Sequence, residues 1–383
     1  MKISILGGGG RWGITLAALY GTKYLNDDNV NINLCIHPES KAYRHSLADY
    51  VSKHRHILKK GFRHVKLPEN VSVSDNLEDI VGSDIVISTI PSKYLKDYLF
   101  KLKDLDFSLF VNASKGVIDD KPISYAFEEI MPDKPYAVLS GPNIASEVAS
   151  NFDNSLVKRA KDFFNKNTEK QPACSVLAFD PGKVNSSLLS KLEYNPYLNL
   201  YRSEDVKSIE YCGVLKQVYA MALGACVGLG FKSNAVANFF YACGEDIKRT
   251  LEYLKLNPEA YNTPAGFLDL KVTSEFGRNG RIGKYMAKYG LKAAKRKMKH
   301  ECVEGLRIIE SMHNLTIENN LPILEELYAV VHEGKELKKA KEDLVYYKKS
   351  HKIKDYLRKK KQRMSKESYH PSKIVSSSRT QKT

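Results

Sequence analysis

The sequence is short of most features that would mark a metalloprotein, a secreted domain or a membrane protein. Its six cysteines (Cys35, Cys174, Cys212, Cys226, Cys243 and Cys302) form no CxxC pair, so reduced thiols in a cytoplasmic protein are expected. The ten histidines show no HExxH or other ligand spacing, and no catalytic metal is expected. No apolar run reaches the ~18–20 residues that a bilayer demands. The most apolar stretch, Val218–Phe231, holds three glycines and reads as a buried helix. Met1–Leu6 is too short for the apolar region of a signal peptide, and a glycine cluster follows it at once. Acidic residues are also scarce, with 44 Asp and Glu against 60 Lys and Arg, a net charge of +16. That balance raises the question of a polyanionic partner. From Lys335 on, 14 Lys and 3 Arg face 5 acids, so twelve of those charges lie in the last 49 residues. The remainder is an ordinary, mildly basic globule.

The chain has 383 residues, of which 43% are hydrophobic and 27% charged, enough for two globular domains. Strands are expected at Ile3–Leu6, Val30–Ile36, Ile85–Ile90, Ser108–Asn112 and Tyr136–Leu139. Helical stretches such as Leu77–Val81 and Ile123–Ile130 separate them. Alternation of this kind predicts a parallel, doubly wound sheet. Beyond residue 200, Glu204–Leu229, Ala235–Leu254, Leu291–Met312 and Leu321–Glu333 all read as helices. A Rossmann-like dinucleotide-binding domain (1–200) is therefore expected ahead of an all-α domain (201–334) and a basic flexible tail (335–383). Asn151–Pro172, polar and lysine-rich, reads as a surface insertion.

Three features carry chemistry. Gly8-x-Gly10-x-x-Gly13 sits between a strand and a helix. The first Gly permits the turn, the second admits a pyrophosphate to the backbone, and the third lets helix pack on strand. The phosphate then meets free N–H groups at the positive end of the helix dipole. The second strand ends at His37, with Glu39 two residues further, so NAD and NADP both stay open. The second feature is a pair of lysines in apolar or glycine-rich settings, Lys115 and Lys216. A buried ammonium is costly unless it is paired or its pKa falls, and a lowered pKa suits a general acid/base. The alternative for Lys216 is an ammonium snorkelling to solvent at the helix edge. The third is Gly266–Gly283, where glycines bracket Asp269, Thr273, Arg278 and Asn279. An Arg-Asn pair suits an oxyanion such as phosphate, and Asp269 could hold an ammonium or a substrate hydroxyl. The alternative is a turn between helices with solvated charges.

In order along the chain stand Gly8–Ala17 (GGGRWGITLA), Lys66–Val71 (KLPENV), Ser114-Lys115-Gly116, Ser140–Val148 (SGPNIASEV), Cys212–Lys216 (CGVLK), Gly228–Phe231 (GLGF), Asp269–Arg281 and Val303-Glu304-Gly305. From Met1 to about Gly334 the sequence resembles the NAD(P)-dependent glycerol-3-phosphate dehydrogenases. The resemblance implies reversible hydride transfer between NAD or NADP and C2 of dihydroxyacetone phosphate, giving sn-glycerol 3-phosphate. It makes Lys216 the catalytic lysine and places Lys115 against substrate and cofactor. Gly141, Asn143, Asp269, Thr273, Arg278 and Asn279 become substrate contacts. Gly8, Gly10, Arg11, Trp12, Gly13, His37, Ala145, Arg278 and Glu304 fall on the dinucleotide side. A homodimer through the helical domain and a role in supplying lipid or polyol-phosphate synthesis are also implied. Gln217 departs from the family's usual Asn, the strand after Val148 is delayed beyond the insertion to Cys174–Phe179, and the tail has no counterpart. Two other readings follow from these departures. One is a dehydrogenase of another phosphorylated ketone or polyol. The other is a dehydrogenase-derived protein whose tail binds nucleic acid or an anionic membrane, although a solvated tail is favoured.

Overall fold

The computed structural model describes residues 1–152, 172–313 and 321–340. The amino-terminal part alternates strands and helices: β1 (Lys2–Leu6), α1 (Arg11–Lys23), β2 (Asn31–Cys35), α2 (Leu47–His54), β3 (Val71–Ser74), β4 (Ser83–Ser88), α3 (Ser92–Leu102), β5 (Phe107–Asn112), α4 (Ile123–Ile130), β6 (Tyr136–Ser140), α5 (Ala145–Ser150), β7 (Ala173–Phe179), α6 (Ser186–Leu192) and β8 (Leu198–Ser203). The strands form one sheet in the order β8-β7-β6-β5-β4-β1-β2-β3. The chain winds outward from β1 through β2 to β3, then returns to the other side of β1 at β4. That reversal is the topological switch point at which open α/β sheets bind ligands.

The sheet covers both its faces with apolar side chains. Ile3, Ile5, Ile85, Ile87, Leu109 and Val111 pack into one core with Ile14, Leu16 and Ala17 of α1. Val86, Phe110 and Val138 point the other way, into a core continuous with the helical part. This period of two, buried on both sides, is what β-branched strands in a parallel sheet produce. All six expected strands form. The expectation of a parallel sheet needs one correction, because β6 and β7 pair antiparallel while the other six pairings are parallel. Two strands of this sheet were not expected, β3 and β8, and Leu77–Ile80 is a 3-10 turn.

The helical part consists of α7 (Val206–Gly228), α8 (Ser233–Tyr253), α9 (Asp269–Phe276), α10 (Arg278–Tyr289), α11 (Leu291–Lys297), α12 (Glu304–Ser311) and α13 (Pro322–His332). α7 is buried without a break from Ser208 to Cys226, as a helix that is apolar all round must be. A buried carboxylate locks it to the sheet. Glu210 accepts hydrogen bonds from Asn112 Nδ2 (3.1 Å), from the Ser124 amide (3.0 Å) and from the Tyr136 hydroxyl. α10 crosses α7 at backbone contact, for a Cβ on Gly224 would stand 2.0 Å from the Gly280 carbonyl oxygen.

Two other expectations change. The single helix expected over Leu291–Met312 is two, because Val303 turns extended before α12. The break lets Gly305 press into a space where a Cβ would lie 2.7 Å from the Gln217 carbonyl oxygen. The possible turn at Gly266–Gly283 is mostly helix, and Asp269, Thr273 and Asn279 are buried rather than solvated. Of the expected insertion and tail, 153–171 and 341–383 lie outside the described residues.

Candidate active site

Three elements bring the four clustered side chains together. Lys216, deep in α7, is 4% exposed, so it does not snorkel to solvent. Its Nζ donates to Asp269 Oδ1 (3.0 Å) and to Thr273 Oγ1 (2.6 Å). Asp269 and Thr273 are four residues apart on α9, which sets them on one helical face, and the Thr273 hydroxyl also reaches Asp269 Oδ1 at 3.2 Å. Lys115, on the loop after β5, comes from the sheet side. Its Nζ donates to Asp269 Oδ2 (2.5 Å) and to the Gly141 carbonyl (2.7 Å). One carboxylate therefore stands between two ammonium groups.

The electrostatics follow from that count. Burial lowers the pKa of Lys216, Asp269 partly restores it, and the charges of Lys115 and Arg278 push it down again, to about 7. Burial acts to raise the Asp269 carboxyl, but the two lysines outweigh it and hold the group below its ordinary value. Asp269 thus stays an anion while Lys216 exchanges a proton near neutrality, the condition a general acid/base requires.

The other candidates ring this cluster. Asn279, 4% exposed on the first turn of α10, donates to Gln217 Oε1 and accepts from the Gly305 amide at 3.0 Å. Arg278, exposed beside it, makes no hydrogen bond or ion pair among the described residues, so its guanidinium is available to an anion. Asn143 is turned to Ser175 Oγ of β7 at 3.2 Å and does not touch the lysines. Ser175 was not singled out in the sequence, where one serine in a strand carries no distinguishing signal.

At the switch point, Gly8–Gly13 turns from β1 into α1. A Cβ on Gly13 would lie 2.6 Å from the Gly7 carbonyl oxygen, and one on Gly8 would lie 2.6 Å from Leu34 Cδ1. Gly10 caps α1 without a side-chain hydrogen bond, and no acid occupies the first turn, so the helix amides face outward unopposed. Trp12 Nε1 is buried without a hydrogen-bond partner. These residues fit a dinucleotide: a cradle only glycine permits, a helix end suited to pyrophosphate, and an orphaned donor. Arg11 lies over the Phe62 ring at 6.0 Å. His37 is exposed at the end of β2 and accepts from the Glu39 amide (3.1 Å). The Ala145 carbonyl accepts from Thr15 Oγ1 of α1 at 3.2 Å. Glu304 opens α12 and accepts from Cys302 Sγ at 3.0 Å.

A dinucleotide cradle at a Rossmann switch point, joined to a buried lysine poised near neutrality, is the arrangement of a nicotinamide-nucleotide-dependent dehydrogenase with a helical C-terminal domain. Residues 2–162 match the family model described as NAD-dependent glycerol-3-phosphate dehydrogenase N-terminus, and 205–342 match the C-terminus model. The chain belongs to the NAD-dependent glycerol-3-phosphate dehydrogenase family. It is 32% identical over 281 residues to the glycerol-3-phosphate dehydrogenase (NAD(P)+) of Thermotoga sp. strain RQ2, covering 72% of this chain and 80% of that one. To the enzyme of the same name from Bacillus pumilus it is 29% identical over 367 residues, covering 92% and 96%. The fold is shared with the crystal structure of glycerol-3-phosphate dehydrogenase from Coxiella burnetii, at TM-score 0.73 and 22% identity over 90% of this chain and 98% of that one.

Proposed function

We propose that the protein catalyses reversible hydride transfer between NAD(P)H and C2 of dihydroxyacetone phosphate, giving sn-glycerol 3-phosphate. The observation that carries this reading is the buried Lys216 ammonium, held between Asp269 and Thr273 with its pKa near 7. The bound nicotinamide supplies or accepts the hydride. Lys216 donates its Nζ proton to the carbonyl oxygen during reduction and takes it back from the alcohol during oxidation. Asp269 and Thr273 hold that ammonium in place, and Lys115 adds a second positive charge beside the developing alkoxide. Arg278 and Asn279, at the N-terminus of α10, receive the substrate phosphate, with Gly141 and Asn143 at its other end. Gly8, Gly10, Arg11, Trp12, Gly13, His37, Ala145 and Glu304 hold the dinucleotide, which Lys115 and Arg278 also reach.

The same reading divides the chain into a cofactor domain (1–200), a catalytic domain (201–334) and a basic tail. It makes the protein a cytoplasmic homodimer that feeds glycerophospholipid synthesis. Support comes from the family and from reduced cysteines, all six of which are free. The test is steady-state oxidation of NADH and of NADPH with dihydroxyacetone phosphate. Turnover that depends on this ketone is expected, and its absence with both cofactors overturns the proposal.

A further inference from the structure

Gln217 follows the proton-handling lysine directly, yet its side chain serves a different network. The Gly305 amide, fixed in direction by α12, must donate, so the oxygen of the Asn279 carboxamide must face it, at 3.0 Å. That choice turns Asn279 Nδ2 toward residue 217, and Gln217 in turn must present Oε1, as it does. One backbone donor thus sets the orientation of two amides in succession. Packing leaves no slack, since a Cβ on Gly305 would stand 2.7 Å from the Gln217 carbonyl oxygen and 2.8 Å from Asn279 Oδ1. The residue before Gly305 is Glu304. Further along α12, Arg307 donates to Ser92 Oγ at 3.0 Å and to the Val117 carbonyl, so the helix is also tied to the cofactor domain.

We propose, resting on the function proposed above, that Gln217 is a positioning residue that couples the phosphate grip to the cofactor contact. An anion drawn onto Arg278 and Asn279 fixes the Asn279 carboxamide. The carboxamide fixes the Gly305 amide, and with it Glu304 at the start of α12. Gln217 makes this coupling possible by holding Asn279 in the one orientation that serves Gly305. Its own Nε2 forms no hydrogen bond among the described residues.

The test uses NADH and glycerol 3-phosphate, both reduced partners, so no turnover occurs. NADH binding to the full chain is followed by its fluorescence with and without glycerol 3-phosphate. The wild type is expected to bind NADH about tenfold more tightly when the phosphate is present, within the usual range of coupling between sites. In Gln217→Leu the ratio falls to about one. Gln217→Glu keeps an acceptor for Asn279, so it keeps the ratio even where glycerol 3-phosphate itself binds more weakly. Retention of the ratio in Gln217→Leu overturns the proposal, as does its loss in Gln217→Glu or its absence from the wild type. Should the leucine variant not fold, Gln217→Met is read in its place. A wild type that turns over dihydroxyacetone phosphate but shows no ratio removes this inference and leaves the proposed function standing.

Discussion

The dinucleotide cradle and the lysine cluster both hold charge, and they are built of different materials. In the cradle the work falls to backbone amides from a contiguous stretch, Gly8–Gly13, where a side chain is an obstruction. In the cluster it falls to side chains drawn from Lys115, Lys216, Asp269 and Thr273, far apart in sequence and nearly sealed from water. The difference matches the task. A pyrophosphate keeps its charge through the reaction, so fixed dipoles suffice. A proton must arrive and leave, so a titrating group is required, and burial with neighbouring cations sets where it titrates.

The comparison predicts that the two regions fail differently. Lys216→Met should lower kcat by ~1,000-fold while NADH binding changes little. Its thermal midpoint should equal or exceed the wild type, because one carboxylate then faces one ammonium. The folded pKa of Lys216, about 7, lies below its ordinary 10.5, so the unfolded chain binds more protons between those values. The cost of burying the lysine is therefore full below pH 7 and declines as pH rises, and the stability gain of the variant should do the same. A calorimetric scan against pH that shows the opposite slope would refute this account. Arg278→Ala should raise KM for the phosphorylated ketone by roughly 10–100-fold, the cost of a lost charged hydrogen bond, with kcat less affected. Gly13→Ala places a Cβ 2.6 Å from a backbone oxygen. It should weaken NADH binding by about tenfold or more without moving the pH midpoint of catalysis; a moved midpoint would mean that the two regions are not separate.

The pH profile itself is the next test. Reduction needs the Lys216 ammonium, so kcat/KM for the ketone should fall as pH rises through about 7. Oxidation needs the free amine, so its kcat/KM should rise through the same pH. Lys115→Met removes a charge that lowers the Lys216 pKa, and both midpoints should move upward. The smallest effect is expected at the surface pair Lys271–Glu275, roughly half exposed on α9. Lys271→Ala should cost no more than about 0.5 kcal/mol of stability and leave both regions unchanged by titration and by kinetics.

What the sequence disclosed follows the same division. The cradle was legible because its residues are contiguous and each glycine has a steric reason. Lys216 was legible as a cation on an apolar helix, although its partner stands 53 positions away. The glycines of Gly266–Gly283 misled, since in a single sequence a glycine that lets two helices touch looks like one that makes a turn. Asp269 and Thr273 therefore looked as if they could be solvated, when α9 buries them. β3 and β8 are hard to read in sequence because they are the sheet's edges, half clothed in polar residues; β3 alternates over only four residues, and β8 loses its alternation at Tyr201-Arg202. The break before Glu304 has no local cause, and only the contact of Gly305 with α7 and α10 explains it.

The crossing of α7 and α10 at Gly224 and Gly280 has one more consequence. Backbone touches backbone there, so neither helix can slide without a collision that no rotamer change relieves. Lys216 lies two turns before that contact on α7, and Arg278 and Asn279 immediately before it on α10. In the proposed function, the span from Lys216 to Arg278 and Asn279 is thus as rigid as a calliper and would gauge the distance from ketone oxygen to phosphate. On that reading, substrate length would be selected by backbone packing as well as by the groups that bind it.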